Sequence, residues 1–534
     1  MKFTPQPGRK VLLIGWDAAD WQIINPLLDA GAMPYLRATV ERGVVADLAT
    51  MQPSLSPMLW NTIATGHRPD RHGILGFTEV DESSGAVRPV SSLSRRVKAL
   101  WNILGQVGCR VHVFNWYASH PAEPISGVCV SDTFAKGFPA PGEPFPLKPG
   151  TVHPTALEET LAGLRLRPEE VDPSVLQLFV PRAAEVDQQR DHRLAAIAKI
   201  VAETICVHNA ITYVLEHEPW DFAAAYYPGI DHFSHGFMLF HPPRLEWVSE
   251  PMFDLYHEVV AGAYRFHDLL LGRLLQLAGP DTTLVLVSDH GFHSDHLRPR
   301  HLPRVPTGPA AQHRGHGILV MAGPGLRRDE RIFGTPLLGI TPTVLTLYGL
   351  PPGQDMPGRV FGEAFEVPPA LERIPSGEEV SGPHPDGRHA PGTSYGLTAN
   401  ESRPLLEQFV ALGYIEPAAD DPAVSAARTR HERSWNLAQS HMAAGRHGPA
   451  AEVLLDLVAQ RPERGDFVLA LAECLAQLEY AAEAEELVDA LLADRPGWPS
   501  AQYLRGSVHL LRKEYSHAIA RFEEAARSGF NSPT

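Results

Sequence analysis

Three short apolar runs in this sequence lead into an aspartate. Residues 11–16 precede Asp17, residues 221–227 precede Asp231, and residues 283–288 precede Asp289. An aspartate at such a place is, by itself, more often a turn residue or helix cap. Each of these has polar company. Asp231 and His235 are four apart, so one helical turn puts both on one side. Asp289 is followed by His290 and by Gly291, which lets the backbone turn sharply. The stretch Gln312-His313-Arg314-Gly315-His316-Gly317 adds two histidines, either of which can complete a site. Ser56-Pro57 reads as an N-cap with proline at the first helical position. A helix start offers free N–H groups to a phosphoryl oxygen, and a serine there can attack phosphorus once a cation lowers its pKa.

The set is more specific than its parts. Asp17, Asp289, His290 and the Ser56 oxygen form one ligand shell; Asp231, His235 and His313 form another. Mixed carboxylate and imidazole shells suit Zn²⁺, with Mn²⁺ or Fe as alternatives. Two such ions about 4 Å apart clamp the attacking and leaving oxygens of an in-line displacement. His72, His232 and His293 lie near these motifs and read as structural, because the ligand count is already full.

These residues need a scaffold that brings strand ends together. Apolar runs at 11–16, 110–115, 221–227, 283–288 and 317–322 alternate with helical stretches. They predict buried parallel strands in an α/β sheet covered by helices on both faces, with ligands at the carboxyl edge. Residues 153–217 read as a mainly helical cap or insertion. Pro and Gly become dense after Pro351, so 353–426 reads as a linker with one short helix near 404–412. From 427 to 534 the pattern repeats. Gly445-Arg446-His447, Leu478-Glu479-Tyr480 and Lys513-Glu514-Tyr515 recur at a spacing of about 34 residues, the period of a tetratricopeptide repeat. Trp435, Leu437, Tyr503, Leu504, Gly506, Phe522 and Ala525 fill its small and apolar slots. The first domain is thus expected at 1–352.

The motifs resemble the alkaline phosphatase superfamily, and within it the type I phosphodiesterase/nucleotide pyrophosphatase branch. The resemblance runs from about Lys10 to Pro352. It rests on Ser56 to Gly66 followed by Pro69-Asp70-Arg71-His72-Gly73-Ile74, on Asp231 through His235, and on Ser288-Asp289-His290-Gly291-Phe292. It implies that Ser56 is a nucleophile forming a phosphoryl-enzyme, with Asp17, Asp289 and His290 holding the metal beside it. It implies that Asp231 and His235 hold the metal that activates water. The family's last histidine falls on His313, with His316 as the alternative. Two departures stand out. Phe77 occupies the place of an asparagine that helps hold the phosphoryl group in nucleotide pyrophosphatases, and the nucleophile is Ser where that branch usually has Thr. Ser56-Pro57-Met58-Leu59 lacks the Cys/Ser-x-Pro-x-Arg pattern of sulfatases.

The expected function is a metal-dependent phosphoric ester hydrolase, a phosphodiesterase or phosphatase acting on a small phosphate ester. The rivals are a phosphotransferase or mutase using the same intermediate, and an interaction protein whose repeats work beside an inactive catalytic fold. Composition narrows the partners. The 534 residues carry a net charge of −16, which argues against binding a nucleic-acid duplex. The repeats suggest a protein partner or self-association. No run approaches a membrane span and no secretory signal is visible, so the expected location is cytoplasmic. Cys109, Cys129, Cys206 and Cys474 include no C-x-x-C pair and read as reduced, mostly buried thiols.

Overall fold

The computed structural model describes residues 5–529 except 7, 304–306, 371 and 395–397. It divides into two compact units: residues up to Phe77 with Arg88–Pro417, and Thr78–Val87 with residues from Ala418 onward.

The first unit is built on a ten-stranded sheet. Five strands at its centre run parallel in the order Thr282–Val287, Lys10–Trp16, Phe222–Tyr227, Val111–Phe114, Gly127–Val130. Each is a short, almost wholly buried apolar run, as both-face coverage demands. Alternation sorts the side chains. Leu12, Ile14 and Trp16 share a core with helices Arg193–His217 and Val259–Ala278. Val11 and Leu13 pack instead with Leu59 and Ile63 of helix Ser56–Thr65. Residues i and i+2 of a strand face the same way, so one apolar run serves both layers.

The register decides where the aspartates go. Trp16 pairs with Tyr227 and Gly15 with Val287. The chain leaves all three strands at one edge, and Asp17 N–H still donates to Tyr227 O at 3.1 Å.

Strand His316–Ala322 departs from expectation. It is antiparallel to both neighbours, Val44–Ala49 and Thr282–Val287. The chain leaving Val287 does not cross the sheet on a long helix. It doubles back through the small pair Gly291–Phe292 and His313–Arg314. A buried apolar run looks the same in either direction.

The helical insertion is also redistributed. Residues 158–192 hold only short helices and turns, whereas Arg193–His217 is a 25-residue core helix. Among the described residues it alone is long and apolar enough to cross a membrane, but most of its apolar surface is buried inside the protein. The Pro/Gly-rich segment read as a linker behaves differently too. Up to Pro417 it belongs with the first unit, and Met356, Val360, Phe361, Ala364 and Ile374 join the Val11 core. The short helix within it spans Ala399–Ala411.

In the second unit three helix pairs follow one another: Pro422–Ala443 with His447–Gln460, Gly465–Gln477 with Ala481–Asp494, and Pro499–Leu511 with Tyr515–Arg527. The small slot is visible at Gly506, where an added Cβ would come within 2.6 Å of the Phe522 ring. All four cysteines are buried free thiols.

Gly15 carries a stability prediction. A Cβ there would lie 2.3 Å from the Trp60 ring, so its absence lets helix Ser56–Thr65 lie flat on the sheet. Gly15→Ala is expected to cost about 1–3 kcal/mol by overpacking. A denaturant midpoint equal to wild type would contradict this.

Candidate metal centre

Ser56, Asp17, Asp231 and Asp289 come from four separate elements. Asp17 and Asp289 follow strand ends, and Asp231 lies in the first turn of helix Gly229–Phe237. Ser56 is the first helical residue and Leu55 holds the N-cap geometry, so the sequence reading is off by one residue there. The helix has no side-chain cap hydrogen bond, so the Ser56 hydroxyl is not spent on capping. Asp17, Ser56 and Asp231 line one pocket of about 30 Å³, together with Phe77, Tyr117, Lys136, Tyr226 and Tyr414.

The structure brings all seven predicted residues into this region. His290 Nε2 is 3.3 Å from Asp17 Oδ1 and 3.6 Å from Asp289 Oδ2. His235 Nε2 is 3.2 Å from Asp231 Oδ1, and His313 Nε2 is 3.7 Å from the same oxygen. Asp17, Asp289 and His290 form one metal-compatible group; Asp231, His290 and His313 form another that shares His290. The His290 and His313 rings stack at 3.7 Å. His316, the alternative ligand, is exposed and outside both groups. His72 bonds to Thr62 Oγ1, and burial pushes its pKa down to about 3. His293 lies beside Asp295. His232 lines the pocket next to Glu203.

Second partners fix which nitrogen points inward. His290 Nδ1 donates to Gly291 O at 3.0 Å, His313 Nδ1 to Ser54 O at 2.9 Å and His235 Nδ1 to Gln312 Oε1 at 2.9 Å. Each Nε2 is thereby left as a lone pair, the arrangement metal-binding histidines use. Asp17 is aimed by Tyr226 Oη–H at 2.6 Å and Trp60 Nε1–H at 3.2 Å, both donating to Oδ2. Asp20 ties the loops together: it accepts from Phe292 N–H at 3.1 Å and pairs with Arg314 at 2.7 Å.

The donor set fits a divalent cation. Asp17 Oδ1, Asp231 Oδ1, both oxygens of Asp289 and His290 Nε2 are buried without a hydrogen-bond partner. Buried, unpaired carboxylates are strongly unfavourable without a counter-charge. No Lys or Arg ion pair reaches these three aspartates among the described residues. Burial, then neighbouring carboxylates, pushes Asp17 and Asp289 above the usual carboxylate range. Burial acts likewise on Asp231, but His235 outweighs it and holds Asp231 low. Burial would lower His235, yet Asp231 raises it; burial and the neighbouring imidazoles keep His313 well below the usual range. His235 Nε2 and His313 Nε2 face each other at 3.2 Å, a contact that either a proton on one ring or a cation between them resolves. The unpartnered oxygens of Asp17 and Asp289 are what call for cationic charge at this place.

Sequence reasoning missed several contributors. Tyr226 could have been found from strand alternation at the edge, and Gln312 from its place beside His313. Trp60 sits one turn along the Ser56 helix. Tyr414 lies in the segment read as a linker, and its hydroxyl is 2.7 Å from His235 Nε2.

Comparison with known proteins follows the same lines. The family model described as type I phosphodiesterase/nucleotide pyrophosphatase matches residues 11–302, and a tetratricopeptide repeat model matches 434–508. No curated protein matches the chain. Similar solved structures include phosphonoacetate hydrolase from Sinorhizobium meliloti with phosphonoformate, at 18% identity and TM-score 0.34, covering 55% of this chain and 60% of that one. Human ectonucleotide pyrophosphatase/phosphodiesterase 5 is similar at 14% identity and TM-score 0.35, covering 64% and 95%. A sulfatase-like protein from Bacteroides thetaiotaomicron is similar at 13% identity and TM-score 0.39, covering 66% and 73%. The chain thus spans less than two thirds of the phosphonoacetate hydrolase. With the family model matching more than half of its length, the chain belongs to the type I phosphodiesterase/nucleotide pyrophosphatase family, and carries tetratricopeptide repeats C-terminal to that domain in the sequence.

Proposed function

We propose that this protein hydrolyses phosphoric esters, with Ser56 as nucleophile between two divalent cation sites. The observation that carries the reading is the convergence, around the pocket Ser56 shares with Asp17 and Asp231, of three buried carboxylates and three inward Nε2 atoms that no Lys or Arg ion pair reaches among the described residues. Asp17, Asp289, His290 and Ser56 would hold one cation; Asp231, His235 and His313 would hold the other. Zn²⁺ suits this donor set best, with Mn²⁺ or Fe as alternatives. Bound there, the cations supply Lewis-acid stabilisation of developing negative charge and lower the pKa of coordinated oxygens.

The chain's own residues do the rest. Ser56 Oγ forms a bond to phosphorus as the P–O bond to the ester's leaving oxygen breaks; that oxygen takes the bonding electrons and, in net, the serine proton, so the alcohol is released. Water then cleaves the phosphoseryl bond, releasing phosphate or a phosphomonoester and restoring the serine hydroxyl. The start of helix Ser56–Thr65 adds favourable dipole and N–H groups for the phosphoryl oxygens. The Nδ1 anchors keep the histidines in the ligating tautomer, and the Tyr226 and Trp60 donors keep Asp17 aimed. The repeats are proposed to recruit a protein partner, since stacked helix pairs offer an extended binding face.

The test is hydrolysis of p-nitrophenyl phosphate and bis-p-nitrophenyl phosphate by Zn²⁺-, Mn²⁺- or Fe²⁺-loaded protein, before and after chelation. Turnover that chelation abolishes and metal restores is expected. Turnover indifferent to thorough chelation would sink the metal reading. Tyr226→Phe gives a finer check. It removes the 2.6 Å donor to Asp17 and keeps the ring, so metal affinity is expected to fall roughly 10- to 100-fold. An unchanged Zn²⁺ titration would mean that the tyrosine does not orient the ligand.

A further inference from the structure

Helix Ala399–Ala411 ends in a turn that fixes the next aromatic residue. Gly413 has φ +81°, Gly413 N–H bonds to Val410 O at 2.9 Å, and Tyr414 N–H bonds to Phe409 O at 2.9 Å. This is a Schellman termination, whose hydrophobic partners are the residues on either side of the turn. Here they are Phe409 and Tyr414, and both close on Phe77. The Phe77 ring stacks on Tyr414 at 4.3 Å and meets Phe409 at 5.1 Å. The effect is to hold a buried phenol in the Ser56 pocket, with its hydroxyl 2.7 Å from His235 Nε2.

That hydroxyl faces a conflict if the cation reading is right. His235 Nδ1 is committed to Gln312, so Nε2 is the ring's only lone pair. A cation that takes this lone pair leaves the Tyr414 hydroxyl without its acceptor. A buried hydroxyl without an acceptor is unfavourable, so it turns to the nearest new one. Phe77, stacked beneath it, has no polar atom to offer, and the Asp17 and Asp231 carboxylates that share the pocket are engaged by the cations on the same reading. What enters this pocket beside Ser56, on the reading above, is a phosphoryl group rich in acceptor oxygens.

We propose that Tyr414 is a substrate-contacting residue, its hydroxyl donating a hydrogen bond to a non-bridging phosphoryl oxygen while Phe77 and Phe409 hold the ring in place. The segment after Pro352 is then part of the active site. This assignment rests on the phosphoester reading.

The experiment uses full-length, Zn²⁺-loaded wild type and Tyr414→Phe. It measures metal content, melting temperature, kcat/KM for bis-p-nitrophenyl phosphate, and binding of inorganic phosphate by calorimetry. Phenylalanine keeps the stack on Phe77, so metal content and melting temperature are expected to match wild type. Phosphate affinity and kcat/KM are expected to fall by roughly 10- to 100-fold, the worth of a hydrogen bond to a charged acceptor. Unchanged phosphate affinity with an active wild type would overturn the role of Tyr414 and leave the hydrolase reading standing. A variant that loses metal along with affinity would also overturn it, by making Tyr414 a support for His235. A metal-loaded wild type that neither turns over ester nor binds phosphate would bring down the hydrolase reading and this assignment together.

Discussion

Ser56→Ala is expected to lower phosphoester hydrolysis by at least about 10³-fold while leaving the fold intact. The two halves of that statement have separate physical grounds. Chemically, the Ser56 oxygen is the only atom the substitution removes, and the proposed reaction runs through a bond from that oxygen to phosphorus. Structurally, all ten residues of helix Ser56–Thr65 are buried, but its N-cap is Leu55 and Pro57 supplies the preset backbone angle. The hydroxyl does no capping, so its loss is expected to shift stability by no more than about 0.5 kcal/mol. Steady-state hydrolysis of bis-p-nitrophenyl phosphate, read beside a thermal melt, checks both. A folded Ser56→Ala protein with near-normal turnover would remove Ser56 from the mechanism.

Asp289→Asn has the second large effect, and it acts in opposite directions on two properties. Neither oxygen of Asp289 has a hydrogen-bond partner, and the side chain is fully buried. Its charge is therefore useful only against a cation. Replacing it is expected to empty the Asp17/His290 site and to cut turnover at least about 10³-fold. The metal-free protein is expected to be at least as stable as metal-free wild type, with a gain that grows as pH rises and the wild-type Asp289 loses its proton. Asp17 and Asp289 repel each other when both are ionised, and an asparagine N–H₂ gives Asp17 a donor. Metal analysis and melting of chelated samples measure the two effects. A metal-free Asp289→Asn protein less stable than metal-free wild type would mean that Asp289 has a structural partner.

Much of this site is legible in the chain because its candidate ligands sit where apolar runs stop. Asp17, Asp289 and His290 follow strands whose identity needs only a run of buried residues, and a parallel sheet collects those ends at one edge. Asp231 and His235 are legible through helical spacing. His313 against His316 is a matter of burial, which spacing cannot give: the first faces inward at the pair with Gly291–Phe292, and the second lies exposed at the start of the next strand.

What was not legible depends on long-range contact or on direction. The antiparallel course of His316–Ala322 leaves no mark on its composition. Residues 353–417 are rich in Pro and Gly and read as loop, yet Met356, Val360 and Phe361 lie buried in the Val11 core. Irregular backbone is compatible with burial of its side chains, and composition reports the first without the second. Tyr414 was hidden for the same reason, although Leu412-Gly413-Tyr414 after a helix is the local signature of its turn. Phe77 is the converse case. It was visible as a departure at a polar position, and the structure shows what the ring packs against.

The central claim is that phosphorus is transferred to Ser56 before water takes it. The most direct measurement is rapid acid quenching of metal-loaded protein during turnover, followed by mass spectrometry of the peptide that contains Ser56. Phosphate on Ser56, formed within one turnover and absent from Ser56→Ala, is the predicted result. Sustained turnover with no phosphate on Ser56, or with phosphate on another residue, would contradict the account.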